Sequence, residues 1–127
     1  MKRIWFGILT WVLVVVAGCA PAFEEVQRLG SQDKALDAVV FKRQTNATVA
    51  TPTEIYVLPA GGGPSGEPVW RADMVVGLVV SWTSADSVQI EAKEARVFLK
   101  RDLALVAVKS SSSNRRVTVI YRIDKSL

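Results

Sequence analysis

A lone thiol carries the first chemistry in the chain. Cys19 is the only cysteine, and Val16-Ala17-Gly18 places small residues directly before it. That is the lipobox pattern, in which the sulfur receives a diacylglyceryl group and the chain is cut just ahead of the cysteine. The upstream residues suit such a substrate. Lys2 and Arg3 make a short positive start, and Ile4 to Ala17 is an apolar run interrupted only by Gly7 and Thr10. A bilayer core takes about 20 apolar residues at helical rise, so the run reads as a leader rather than a spanning helix. Ala20-Pro21-Ala22 follows, as after a removed signal. A single thiol also cannot form an intramolecular disulfide. Acyl chains contribute roughly 0.8 kcal/mol per buried CH₂, and stable anchoring takes more than one. A triacylated Cys19 is therefore expected to hold the protein on a membrane. The next residue is Ala20 rather than Asp, which favours the outer membrane, on its periplasmic side.

The remaining side chains exclude several chemistries. The chain has no histidine, so the commonest general base near neutral pH and the commonest metal ligand are both missing. With Cys19 acylated no thiolate is left, which excludes Ser-His-Asp and Cys-His catalysis and zinc sites built on His or Cys. A carboxylate-only calcium or magnesium site stays possible. No acidic cluster has calcium-loop spacing, however, and Asp33 and Asp37, four apart, are too little alone. No metal site is therefore assigned, and no cofactor is expected. Carboxylate chemistry stays open. A glycan hydrolase acting on peptidoglycan needs two acids facing each other across a cleft. Asp33, Asp37, Glu54, Glu67, Asp73, Asp86, Glu91 and Glu94 supply the residue type, but the sequence places no two of them together.

Binding chemistry is better represented. Trp70 and Arg71 could stack as a cation–π pair, and Arg71 with Asp73 on one strand face could orient a polar ligand. Charge is uneven along the chain. The sequence holds 16 basic and 12 acidic residues, and Lys2 and Arg3 leave with the leader, so little global excess remains. Residues 96–127 nevertheless carry eight basic side chains against Asp102 and Asp124. Lys100, Arg101, Arg115 and Arg116 could form a basic face toward an acidic partner, lipid phosphates or an anionic glycolipid. The alternative is that these are solvent-facing positions of edge strands, where Lys and Arg discourage edge-to-edge association. Asn46-Ala47-Thr48 fits a glycosylation sequon but reads as a polar loop in a bacterial protein.

These residues must be positioned by strands. Leu36 to Arg43 is rich in Val and Phe, with Val39 and Phe41 on one face. In Glu54 to Pro59, Ile55 and Val57 oppose Glu54, Tyr56 and Leu58. Val69 to Met74 is a short strand, and Val76, Leu78, Val80 and Trp82 share a face, with Trp82 in the core. After a turn at Thr83 to Asp86, Val88 and Ile90 face inward. Ala95 to Lys100 alternates, as does Arg116 to Asp124, where Val117, Val119, Tyr121 and Ile123 form one side. Glu91 to Lys109 also has helical spacing in Ala95, Phe98, Leu99, Leu103 and Val106, but its β-branched and aliphatic runs favour strands. Ala60 to Gly66 is a Gly/Pro-rich mobile connector that lacks a phosphate loop's ending. Ser110 to Asn114 is a hairpin loop. Phe23, Val26 and Leu29 either form one helical turn docked on the domain or belong to a spacer.

The expected layout is a signal peptide over 1–18, a lipidated N-terminus and tether over 19–32, and a single periplasmic β domain over 33–127. About seven strands make a small all-β fold, an antiparallel sandwich or a curled meander.

Ser31-Gln32-Asp33-Lys34, leading into Asp37-Ala38-Val39, resembles the Ser-Pro-Asp-Gly turn that precedes strands in β-propeller blades. Glu54 to Gly63 and Val80 to Ile90 resemble blade hairpins, although the chain is too short for a propeller. The order of these elements, with Val117-Thr118-Val119-Ile120-Tyr121 at the end, resembles small uncharacterised bacterial lipoproteins and envelope proteins. The resemblance spans about residues 31–123 and implies a fold and a location rather than an activity. A small domain without histidine or a free thiol suits a non-enzymatic binding or accessory role. An envelope protein or anionic envelope glycolipid is then the expected partner, and nucleic acid is not. A structural or stress-related lipoprotein with no dedicated ligand is the alternative.

Overall fold

The computed structural model describes residues 23–43, 51–108 and 114–127. The expected leader with Cys19, the Asn46-Ala47-Thr48 sequon and the Ser110 to Ser113 part of the expected hairpin loop lie outside them. The described chain is all-β, with eight strands: β1 (Phe23–Gly30), β2 (Leu36–Arg43), β3 (Thr53–Pro59), β4 (Trp70–Val76), β5 (Val79–Ser84), β6 (Ser87–Lys100), β7 (Leu103–Ala107) and β8 (Asn114–Ser126). They form one sheet in the order β1-β2-β3-β4-β6-β8-β7, with β5 paired to β6. All pairings are antiparallel except β6 with β8. Among the described residues no helix is long and apolar enough to cross a membrane.

β4 and β5 lie end to end along one edge of β6, with β4 opposite Glu94 to Lys100 and β5 opposite Ser87 to Glu91. Gly77, at a φ of 67°, makes the break between them, and a Cβ there would press on the Lys93 side chain. The paired ribbon bends at this corner. Ser87 and Leu103 both sit opposite Thr118, on different edges of β8. A straight strand rising roughly 3.3 Å per residue would have carried the chain tens of ångströms away. The bend folds the sheet over itself, so apolar side chains from both arms meet. Leu36, Ala38 and Val40 of β2, Ile55 and Val57 of β3, and Trp70 and Ala72 of β4 pack with Val80, Val88, Ile90, Val106, Val117 and Val119. Each large aliphatic chain so buried contributes about 1.5–3 kcal/mol.

The alternation read in β2 and β3 holds. Val39, Phe41, Tyr56 and Leu58 form a second, smaller cluster on the outward face, joined by Phe23. Phe23, Phe41 and Tyr56 meet edge-to-face, with centroids 6.2 and 5.6 Å apart, the geometry aromatic quadrupoles favour.

Several local expectations are corrected. Phe23 to Gly30 is neither helical turn nor spacer but an edge strand paired with β2, whose register slips between Glu25 and Gln27. That slip breaks the alternation, and the charged residues of an edge strand hide its pattern further. Between Glu91 and Ala107 the chain is strand on both sides of Arg101-Asp102, as preferred, but β6 runs without interruption from Ser87 to Lys100, and Lys109 lies outside the described residues. Val76 and Val80 belong to different strands, separated at Gly77. Trp82 is half-buried at the rim, and its indole N–H donates to the Leu29 carbonyl at 2.8 Å, tying β5 to β1. The glycine-rich connector is held at its start: Gly61 N–H donates to Asp37 Oδ2 at 2.9 Å, and Arg28 Nη2 donates to the Gly62 carbonyl at 2.9 Å.

Candidate functional site

Strand alternation separates Trp70 from its neighbours Arg71 and Asp73. Trp70 points inward and is fully buried in the main core, so the cation–π pair expected with Arg71 does not form. Arg71 and Asp73 do share the outward face, but each has another partner. Arg71 Nε donates to Glu54 Oε1 at 3.0 Å, and Tyr56 Oη donates to Glu54 Oε2 at 2.9 Å. Arg43 Nη1 stands 3.9 Å from the same carboxylate. Glu54 is thereby sealed from solvent with both oxygens occupied. Burial and the facing Glu54 push the Tyr56 phenol up to about 12. Asp73 accepts two bonds from Arg96, at 2.8 and 2.5 Å, and these hold its carboxyl below the usual range. Arg96 in turn lies 5.2 Å above the Phe98 ring.

The four basic residues do not form one face. Arg115 and Arg116 are successive in β8 and so point to opposite sides. Arg115 joins two turns: its Nη1 is 2.6 Å from Asp33, and its Nε donates to Asp86 at 2.7 Å. It works as a clip, not a free cation. Arg101 is ion-paired with Glu67. Lys100 Nζ lies 4.8 Å from the Tyr121 ring centre. The Tyr121 hydroxyl bonds the Val69 carbonyl at 2.8 Å and the Arg101 carbonyl at 2.5 Å, and burial pushes it up to about 12. Of the four, Lys100 and Arg116 have no ion pair among the described residues; Lys100 lies on the Tyr121 ring, and Arg116 sits opposite Leu105 of β7.

The acids are similarly engaged. Asp37 takes Arg28, and Glu91 accepts from Gln89 Nε2 at 2.6 Å. Glu94 lies 3.9 Å from Lys125. The Ser31 hydroxyl, and then Arg115, hold Asp33 at about 2. A glycosidase acid needs the opposite shift, upward. The sequence reading missed one grouping: Glu91, Lys93, Arg122 and Asp124 line a cleft of about 320 Å³ at the bend. Charges of both signs interleave there because β6 and β8 run parallel, a pairing that periodicity does not announce. Among the described residues no three metal-ligating side chains come together.

Asp33 gives a pH prediction. Its folded value lies below the ordinary 3.8, so its contribution to stability is complete above that pH and is lost as the pH falls toward 2. Melting temperature should drop across this window, and Arg115→Ala should flatten the profile. Parallel profiles for the two proteins would sink the clip.

A second cleft, of about 410 Å³, is bounded by Val57, Val69, Ser65 to Glu67, Arg101 and Leu103 to Leu105. β3 pairs with β4 only through Thr53 to Ile55, so beyond Ile55 that edge of β3 has no strand beside it. β7 ends the sheet on the other side. Two sheet edges and an apolar floor thus meet at one opening, the arrangement here best suited to holding a ligand. No family model, no curated protein and no solved structure matches the chain.

Proposed function

We propose that this chain is a lipid-anchored protein of the bacterial envelope and works as a non-catalytic binding or accessory module. Acylated Cys19 supplies the anchor, with the β domain facing the periplasm from the outer membrane. The partner is another envelope component, a protein or an anionic glycolipid. One observation carries the reading toward binding: the arginines and acids of the outward face are spent on each other, while the cleft between β3 and β7 is left open. A surface of this kind can hold a partner, and among the described residues its acids are taken up by arginines.

The test is crosslinking in intact envelopes followed by purification of the chain, with wild type beside Cys19→Ser. A defined envelope component should be recovered with the anchored protein and lost with Cys19→Ser. Recovery of nothing above background from either form would favour a purely structural lipoprotein.

A further inference from the structure

The two ends of the sheet are built differently. β1 reads Phe-Glu-Glu-Val-Gln-Arg-Leu-Gly, with three charged side chains and a register slip. Charges and bulges are how edge strands avoid pairing with another chain. β7 reads Leu-Ala-Leu-Val-Ala and has neither a charge, a proline nor a bulge. Leu103 and Leu105 are 42% and 62% exposed.

Backbone direction sharpens the contrast. Val119 N–H donates to the Asp102 carbonyl, so Asp102, and by alternation Ala104 and Val106, turn their backbone groups toward β8. Leu103, Leu105 and Ala107 turn theirs away from β8, to the side where β3 approaches but does not pair. Of these residues, Leu103 and Leu105 border the 410 Å³ cleft, which Val57, Val69 and Ala104 also line. A row of backbone donors and acceptors beside an apolar floor is matched by another extended backbone.

We propose that β7 is a strand-acceptor edge, and that its occupant is an extended peptide segment of a partner protein, carrying apolar residues and at least one carboxylate. This rests on the binding-module reading and names its mode. The carboxylate follows from Arg116. It lies on β8 opposite Leu105, unpaired among the described residues, within reach of an outward side chain on a strand added to β7. A second copy of the chain fits less well. Two β7 edges would bring no carboxylate to Arg116, and the two Arg116 side chains would share the same sheet face. Ser65 to Glu67 also line the cleft, which restricts the approach of a folded second copy.

The experiment selects a random linear peptide library on the purified full-length chain, then titrates the synthesised binders against variants. Leu105→Pro removes an outward N–H and leaves the β8 ladder intact, since proline is tolerated on an open strand edge. Leu105→Lys adds the missing edge charge without altering the backbone, and serves if the proline variant does not fold by circular dichroism. Binders should weaken about tenfold or more with either variant, and less with Arg116→Glu. Equal binding to all forms would overturn the proposal. So would the absence of any selected peptide, or binding to phosphatidylglycerol vesicles that is lost with Arg116→Glu. A concentration-dependent dimer abolished by Leu105→Lys would assign the edge to a second copy instead. If the envelope crosslink survives Leu105→Lys, only the strand-addition mode fails and the binding-module reading stands.

Discussion

Trp70→Ala should destabilise the domain by about 3–5 kcal/mol in urea denaturation, as expected when a fully buried indole becomes a cavity. Trp70→Phe should cost far less. The Trp70 indole N–H is buried with no acceptor among the described residues, and an unsatisfied buried donor costs about 1–3 kcal/mol. Phenylalanine loses some packing but removes that donor, so the two changes offset each other. The measurement is the pair of denaturation midpoints at equal m-value. A Phe variant as unstable as the Ala variant would mean that the N–H contributes a bond after all.

Arg71→Ala is the second large effect, and its sign is informative because the pair is asymmetric. Glu54 has no exposed side-chain surface, whereas Arg71 keeps 36%. Removing the arginine leaves a sealed carboxylate with only Tyr56 and the more distant Arg43, and breaking a buried pair in this way costs about 3–5 kcal/mol. Glu54→Gln should cost less, because Arg71 can turn to water and the amide keeps an acceptor for Tyr56. Combining Arg71→Ala with Glu54→Gln should recover part of the loss, since no unpaired buried charge then remains. A double variant as unstable as the sum of the two singles would refute the coupling.

Much of the fold was legible because two-residue alternation survives wherever one face meets the core. Ile55 and Val57 against Glu54 and Tyr56, and Val117, Val119 and Tyr121 in β8, behave as their pattern predicts. Other features were not legible, for separable reasons. The slip between Glu25 and Gln27 erases the period of β1. Nothing in Val76 to Trp82 except Gly77 marks the strand break, and one glycine is a weak signal. The sense of Trp70 depends on which face of β4 meets the core, which its short alternation left open. Ion pairing was the least readable. Arg115 reaches Asp33 and Asp86 across two turns, partners that only the folded topology brings together, so a residue expected on a binding face proved to be a clip. The outward-facing backbone of β7 could not be foreseen either, since it follows from β8 pairing with β7 on one side while β3 approaches on the other without pairing to it.

The place of β8 also bears on how the molecule is made. Synthesis delivers the chain from its N-terminus, yet the last of these strands lies inside the sheet, joining β6 to β7. Until it emerges, β7 has no strand to pair with and Val106 lacks the Val117 and Val119 side of the core. The early segments can form hairpins, but the non-local β6–β8 pairing must wait, and such pairings are slow to nucleate. A chain that cannot finish folding before its last strand appears stays threadable for longer. Under the lipid-anchored envelope role proposed above, that delay would keep the polypeptide fit to pass through a narrow channel, and the final segment would then lock the domain on the far side.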